Sequence, residues 1–133
     1  MMALVQTADG LVTVDVDDEI VVDVDTERTL DPAPAPLLSL PRVVAAAEAG
    51  STVVALVAAT PPLLVSHDAG RTWRESGRGL PPGRAVAVAA DDPDTVLYAA
   101  RNRLYVSRDG GRFWHGLVVE LPEIEAIELV SDG

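Results

Sequence analysis

Leu63-Leu64-Val65-Ser66-His67-Asp68-Ala69-Gly70-Arg71-Thr72-Trp73 and Leu104-Tyr105-Val106-Ser107-Arg108-Asp109-Gly110-Gly111-Arg112-Phe113-Trp114 align without a gap at an offset of 41 residues. The offset continues downstream, where Leu80-Pro81 falls on Leu121-Pro122, Ala85-Val86 on Ala126-Ile127 and Val88 on Leu129. Leu40-Pro41 marks a third phase, 40 residues before the second. Self-similarity at such a period is the mark of a repeat architecture, in which one unit cannot bury its apolar faces without its neighbours.

Each unit reads as four short strands. In the best-kept one they fall at about Ala85–Ala90, Thr95–Arg101, Leu104–Ser107 and Phe113–Leu117. Turn-formers separate them: Asp91-Asp92-Pro93-Asp94, Arg101-Asn102-Arg103 and Asp109-Gly110-Gly111. Runs such as Thr52-Val53-Val54-Ala55-Leu56-Val57 are apolar at nearly every position, as in a sheet covered on both faces. Val43–Ala49 also fits a helix, but the repeat phase makes it a strand.

The first unit starts at its second strand. Ala3–Gln6, Leu11–Val14 and Ile20–Asp23 match strands two, three and four, and Glu125–Ser131 supplies a spare first strand at the other end. The two ends sum to one unit, giving three four-stranded units in a single domain, 1–133. The excess length is Asp31–Pro36, whose Pro-Ala-Pro-Ala-Pro run reads as a stiff extended loop.

Composition narrows the function. There is no cysteine, hence no disulfide frame and no thiolate site. Ten arginines and no lysine face 21 acids, for a net charge of −11, so a phosphate backbone would be repelled and nucleic acid is not an expected partner. Such self-repulsion is relieved by concentrated salt, which fits a salt-accumulating source. No apolar run approaches the ~18 residues of a membrane helix, and no leader opens the chain, so a cytoplasmic protein without a membrane partner is expected.

Ser66–Trp73, Ser-x-Asp-x-Gly-x-Thr-Trp, resembles the Asp-box, or BNR repeat, of sialidase, sortilin and photosystem-assembly-type β-propellers. Ser107–Trp114 is similar, with Phe113 in place of the threonine, while the first unit keeps only the strand pattern at Val14–Val21. The resemblance implies an all-β propeller of four-stranded antiparallel blades, three blade equivalents per chain, one of them completed by the N- and C-terminal strands. In that reading Ser66, Asp68, Gly70, Thr72 and Trp73, with Ser107, Asp109, Gly111 and Trp114, are structural. The carboxylates accept backbone N–H groups in the hairpin, the glycines take positive φ, and the tryptophans fill space between sheets. Propellers have ~4–8 blades. A homodimeric six-bladed ring is therefore expected, the last strand of one chain completing the first sheet of the other; a compact three-sheet monomer or a piece of a longer chain are the other readings.

Little in the sequence reads as catalytic. Loops after strands two and four share a face in a propeller, and there Arg78, Arg84, Arg101 and Arg103 form a candidate anion-binding face, set against the plainer expectation that they pair with surface acids. A sialidase-like hydrolase needs an arginine triad, a Tyr-Glu pair and an acid/base Asp, but Tyr98, Tyr105 and Glu75 sit on strands. His67 and His115 lack metal-ligand spacing, and Asp15–Glu19 reads as a hairpin turn, so neither metal nor cofactor is expected. The expected function is a non-catalytic scaffold or binding module for a protein or small ligand; the alternative is a glycan-binding or glycan-cleaving module.

Overall fold

The computed structural model describes residues 1–31, 36, 38, 40 and 42–130. Among them are twelve strands and no helix. The first sheet holds β1 (Met2–Thr7), β2 (Gly10–Asp15) and β3 (Ile20–Asp25). The second holds β4 (Val43–Ala49), β5 (Thr52–Val57), β6 (Leu63–Ser66) and β7 (Arg74–Ser76). The third holds β8 (Ala85–Ala89), β9 (Asp92–Ala99), β10 (Arg103–Ser107) and β11 (His115–Glu120). The last strand, β12 (Ile124–Val130), returns to the first sheet, giving the order β12-β1-β2-β3 beside two meanders, all pairs antiparallel. Three four-stranded antiparallel sheets are consistent with a β-propeller-like architecture.

β12 lies on β1 of its own chain, from Met2↔Val130 through Val5↔Ile127 to Thr7↔Ile124. In this chain the strand completes its own first sheet rather than that of a second copy. Only three residues separate Glu120 from Ile124, and β12 packs on β8 of the third sheet. β8 also packs on β4, so the third sheet stands in the middle of an arc. Among the described residues no strand of the first sheet packs comparably on the second. The connections agree: eight residues join β7 to β8, whereas seventeen separate β3 from β4. That long connection includes the Pro-rich run, of which residues 32–35 lie outside the described residues.

Two core clusters fill the two seams. Val5, Val12 and Val14 of the first sheet meet Leu97, Leu104 and Leu117 of the third. Val54, Leu56, Leu63 and Val65 of the second sheet meet Val96 and Tyr98, with Trp114 packed alongside. The alternation within β9 is the simple reason: Leu97 and Ala99 point one way, Val96 and Tyr98 the other, and all four are buried. Each buried leucine contributes about 1.5–3 kcal/mol, so cores of valine, alanine and leucine suffice despite so few aromatics.

One turn was placed too late by the sequence. β9 begins at Asp92, inside the stretch read as a turn, because the β8–β9 ladder shifts register between Val88 and Ala89. A bulge tolerates the missing N–H of Pro93 within a strand.

Tyr98 is the tightest point of the core. Its ring is fully buried and its hydroxyl donates to the Pro81 carbonyl at 2.5 Å; burial pushes its pKa up to about 12. A Cβ added at Gly83 would lie 2.5 Å from the Tyr98 Cζ and Oη atoms. Gly83→Ala is therefore expected to lower stability by about 1–3 kcal/mol, measured as a shift in the urea midpoint; an unchanged midpoint would show that this contact is not tight.

Candidate functional site

The Ser66–Trp73 and Ser107–Trp114 hairpins share one hydrogen-bond scheme. Asp68 Oδ1 accepts the Ser66 hydroxyl at 2.7 Å and the Thr72 N–H at 2.9 Å, while Oδ2 accepts the Thr72 hydroxyl at 2.6 Å. The Ser66 oxygen in turn accepts the Gly70 N–H at 2.8 Å. In the second hairpin Asp109 Oδ1 accepts the Ser107 hydroxyl at 2.8 Å and the N–H groups of Arg112 and Phe113 at 3.1 and 3.0 Å. Phe113 has no hydroxyl, so that carboxylate loses the bond Thr72 supplies. Gly70 and Gly111 have φ of +87° and +91°, where a side chain is strained. Ala69 also sits at φ +61°, at the position where the second hairpin has Gly110. Alanine itself carries no turn preference; the signal for that conformation is the glycine at the repeat-equivalent position.

The tryptophans differ. Trp114 bridges the second and third sheets: its ring lies 6.0 Å from that of Tyr98, edge-on at 65°, and its indole N–H donates to Ser76 Oγ at 3.3 Å and to the Gly111 carbonyl at 3.2 Å. Ser76 Oγ donates to the same carbonyl, and Arg74 donates to the Gly110 carbonyl at 3.1 Å. The second hairpin thus forms part of an inter-sheet seam. Trp73, at the equivalent position, is half-buried and belongs to neither core cluster.

The seam between first and third sheets is closed by an ion pair and a histidine–carboxylate contact. Arg108 pairs with Asp17 at 2.6 Å and His115 Nε2 meets Glu19 Oε2 at 3.0 Å, while Glu19 Oε1 accepts the Val118 N–H at 2.9 Å. The His115 bond and then the Val118 N–H hold Glu19 below the usual carboxylate range. His67 meets the Thr52 hydroxyl at 3.3 Å. No group of three or more His, Asp or Glu side chains suited to a metal ion occurs among the described residues.

Three of the four sequence-selected arginines share a cleft. Arg84, Arg101 and Arg103 line a space of about 480 Å³ with Pro81, Pro82 and Tyr105. Each has an acid: Arg84 and Arg101 reach Glu123 at 2.8 and 3.9 Å, and Arg103 reaches Glu120 at 3.4 Å. Arg78 does not join them. It lines a different groove, between the second and third sheets, with Arg74 and Arg112, neither of which the sequence reading placed beside it. The loop following β7 carries Arg78 into that groove, whereas the β9–β10 turn holds Arg101 and Arg103 beside Pro81 and Pro82.

No family model matches this sequence, and no curated protein does. A solved structure, that of a GH74 enzyme of Niastella koreensis, matches with a TM-score of 0.51 and 24% identity over 90% of this chain. The chain spans only 17% of that enzyme's length. The likeness concerns the fold. No helix among the described residues is long and apolar enough to cross a membrane.

The Asp68 bonds set a pH dependence. The Thr72 hydroxyl, the Thr72 N–H and the Ser66 hydroxyl all favour the ionised carboxylate and hold it far below its ordinary value. The folded state therefore gains from ionisation, fully above the unfolded value of ~3.9 and progressively less as pH falls below it. Asp68→Ala is expected to lower the melting temperature at neutral pH, with the gap to the native protein narrowing below pH ~4. A gap independent of pH would show that the carboxylate charge is not what holds the hairpin.

Proposed function

We propose that this chain is half of an Asp-box β-propeller and serves as a non-catalytic binding scaffold: two copies close one six-bladed ring, and its loops bind a partner. The observation carrying this reading is Trp73. Its repeat equivalent, Trp114, packs between the third sheet and the second, whereas Trp73 is half-buried and in neither core cluster, and the repeat puts it on the far face of the second sheet. The first sheet ends the other side of the arc, its far face carrying Leu4, Thr13 and Glu128 half-exposed. In a ring of repeats these two faces are consecutive, so the Trp73 face of one copy lies on the first sheet of the next and the reverse contact closes the ring. Two-fold closure of this kind uses the same pair of patches twice. Arg71, beside Trp73 in sequence, would meet Asp23 and Asp25 of β3 across that contact.

A binding rather than a catalytic role is supported by the pairing of the carboxylates that reach the cleft arginines. Glu120 and Glu123 are both engaged by guanidinium groups. A glycosidase needs two carboxyl groups held ~5–9 Å apart across the scissile bond.

Sedimentation equilibrium in dilute and concentrated salt tests the assembly. The expected mass is twice the 14.0 kDa of one chain, falling to a single chain in Trp73→Glu while the melting curve stays cooperative. A native protein of 14.0 kDa in both salts would overturn the ring. Hydrolysis of a fluorogenic glycoside by the native protein would overturn the non-catalytic reading.

A further inference from the structure

The two inter-sheet seams treat charge differently. Between first and third sheets Arg108 has Asp17 beside it, and the His115 ring meets Glu19. Between second and third sheets lies an open groove of about 720 Å³ lined by Arg74, Arg78 and Arg112, with Glu75 the one acid beside them. None of the three arginines has a carboxylate within ion-pair distance among the described residues, although the chain carries 21 acids. Arg74 is held at its tip by the Gly110 carbonyl, which leaves its charge uncompensated.

The groove also has an aromatic floor. Trp114 and Tyr105 line it, and both pack edge-on against the fully buried Tyr98, with ring centroids 6.0 and 6.2 Å away. Bonds from Trp114 Nε1 to Ser76 and Gly111 fix its plane, so the floor is formed before anything binds. Phe113 stands at the rim 79% exposed, the most exposed large apolar side chain described. On either side β7 and β11 are the last strands of their sheets; neither outer edge pairs with a strand among the described residues, and on β11 the Val118 N–H is taken by Glu19.

We propose that this groove binds an acidic peptide segment in extended form. Its carboxylates lie on Arg78, Arg112 and Arg74, and an apolar side chain lies over Phe113 and Trp114. Guanidinium forks take carboxylates in bidentate fashion, and arginine clusters are a recurring device for acidic motifs. The outer edge of β7, which pairs with no strand among the described residues, favours a peptide over an acidic sugar, because it offers backbone N–H and C=O groups at the spacing of an extended chain. The inference rests on the binding-scaffold reading but not on the ring, since a single chain carries the whole groove.

Fluorescence anisotropy tests it with a fluorescein-labelled peptide of alternating glutamates around a central phenylalanine. The native protein is expected to bind saturably. Arg78→Glu with Arg112→Glu, both exposed and outside the cores, is expected to weaken binding roughly tenfold or more while leaving melting and sedimentation unchanged. Arg84→Glu, in the other cleft, should bind like the native protein. Equal binding by the double variant, no saturable binding by the native protein, or binding of an oligouronate in place of the peptide would each overturn the proposal. Loss of peptide binding in a protein that still sediments as two chains separates this failure from that of the ring.

Discussion

The pairing of β12 with β1 is the constraint on which the rest of the architecture hangs. It is a ladder between residues nearly the whole chain apart, from Met2↔Val130 to Thr7↔Ile124. Without it the first sheet would have three strands and an unpaired inner edge. With it, Ile124 and Leu129 join the core that binds first and third sheets, and β12 packs on β8. Closing so long a loop costs entropy that grows only slowly with length, so one well-registered strand with a buried face can offset it. The ladder also decides the order of sheets, by drawing the first sheet beside the third and leaving the seventeen-residue connection to reach back to β4.

Within that frame the box hairpins are joints. Their carboxylates are spent on their own turns: Asp68 on Thr72 and Ser66, Asp109 on Phe113, Ser107 and Arg112. A carboxylate saturated by local donors is poorly placed to do chemistry, and the turn it fixes instead presents the Gly110 and Gly111 carbonyls to Arg74 and Ser76 of the neighbouring sheet. The same motif thus works at two levels, first holding a hairpin and then joining two sheets. In the second sheet only the first level is realised, and Trp73 remains without the neighbour that Trp114 has.

Charge is arranged with similar economy. An acid-rich chain sets an acid beside Arg108 and His115 at the first-to-third seam and beside Arg84, Arg101 and Arg103 over the β9–β10 turn; of the arginines with no acid among the described residues, Arg74, Arg78 and Arg112 line a shared groove. Local positive potential on a strongly negative molecule steers an anionic ligand toward one place and repels it elsewhere.

What the sequence by itself determined is whatever depends on neighbours along the chain. Alternation and turn-formers placed the strands; the 41-residue offset revealed the repeat, and the spare end strands announced that first and last units are one. The Ser-x-Asp-x-Gly pattern foretold self-contained turns because its bonds span only two to four residues. Only the tertiary structure decided what depends on how sheets face one another. Arg78 lies near Arg84 in sequence yet lines another groove, because one follows a strand of the second sheet and the other leads into the third. Which tryptophan finds a neighbour, which arginine finds an acid and whose sheet β12 completes are set by inter-sheet packing, and a repeating sequence writes the same local instruction at each of those places.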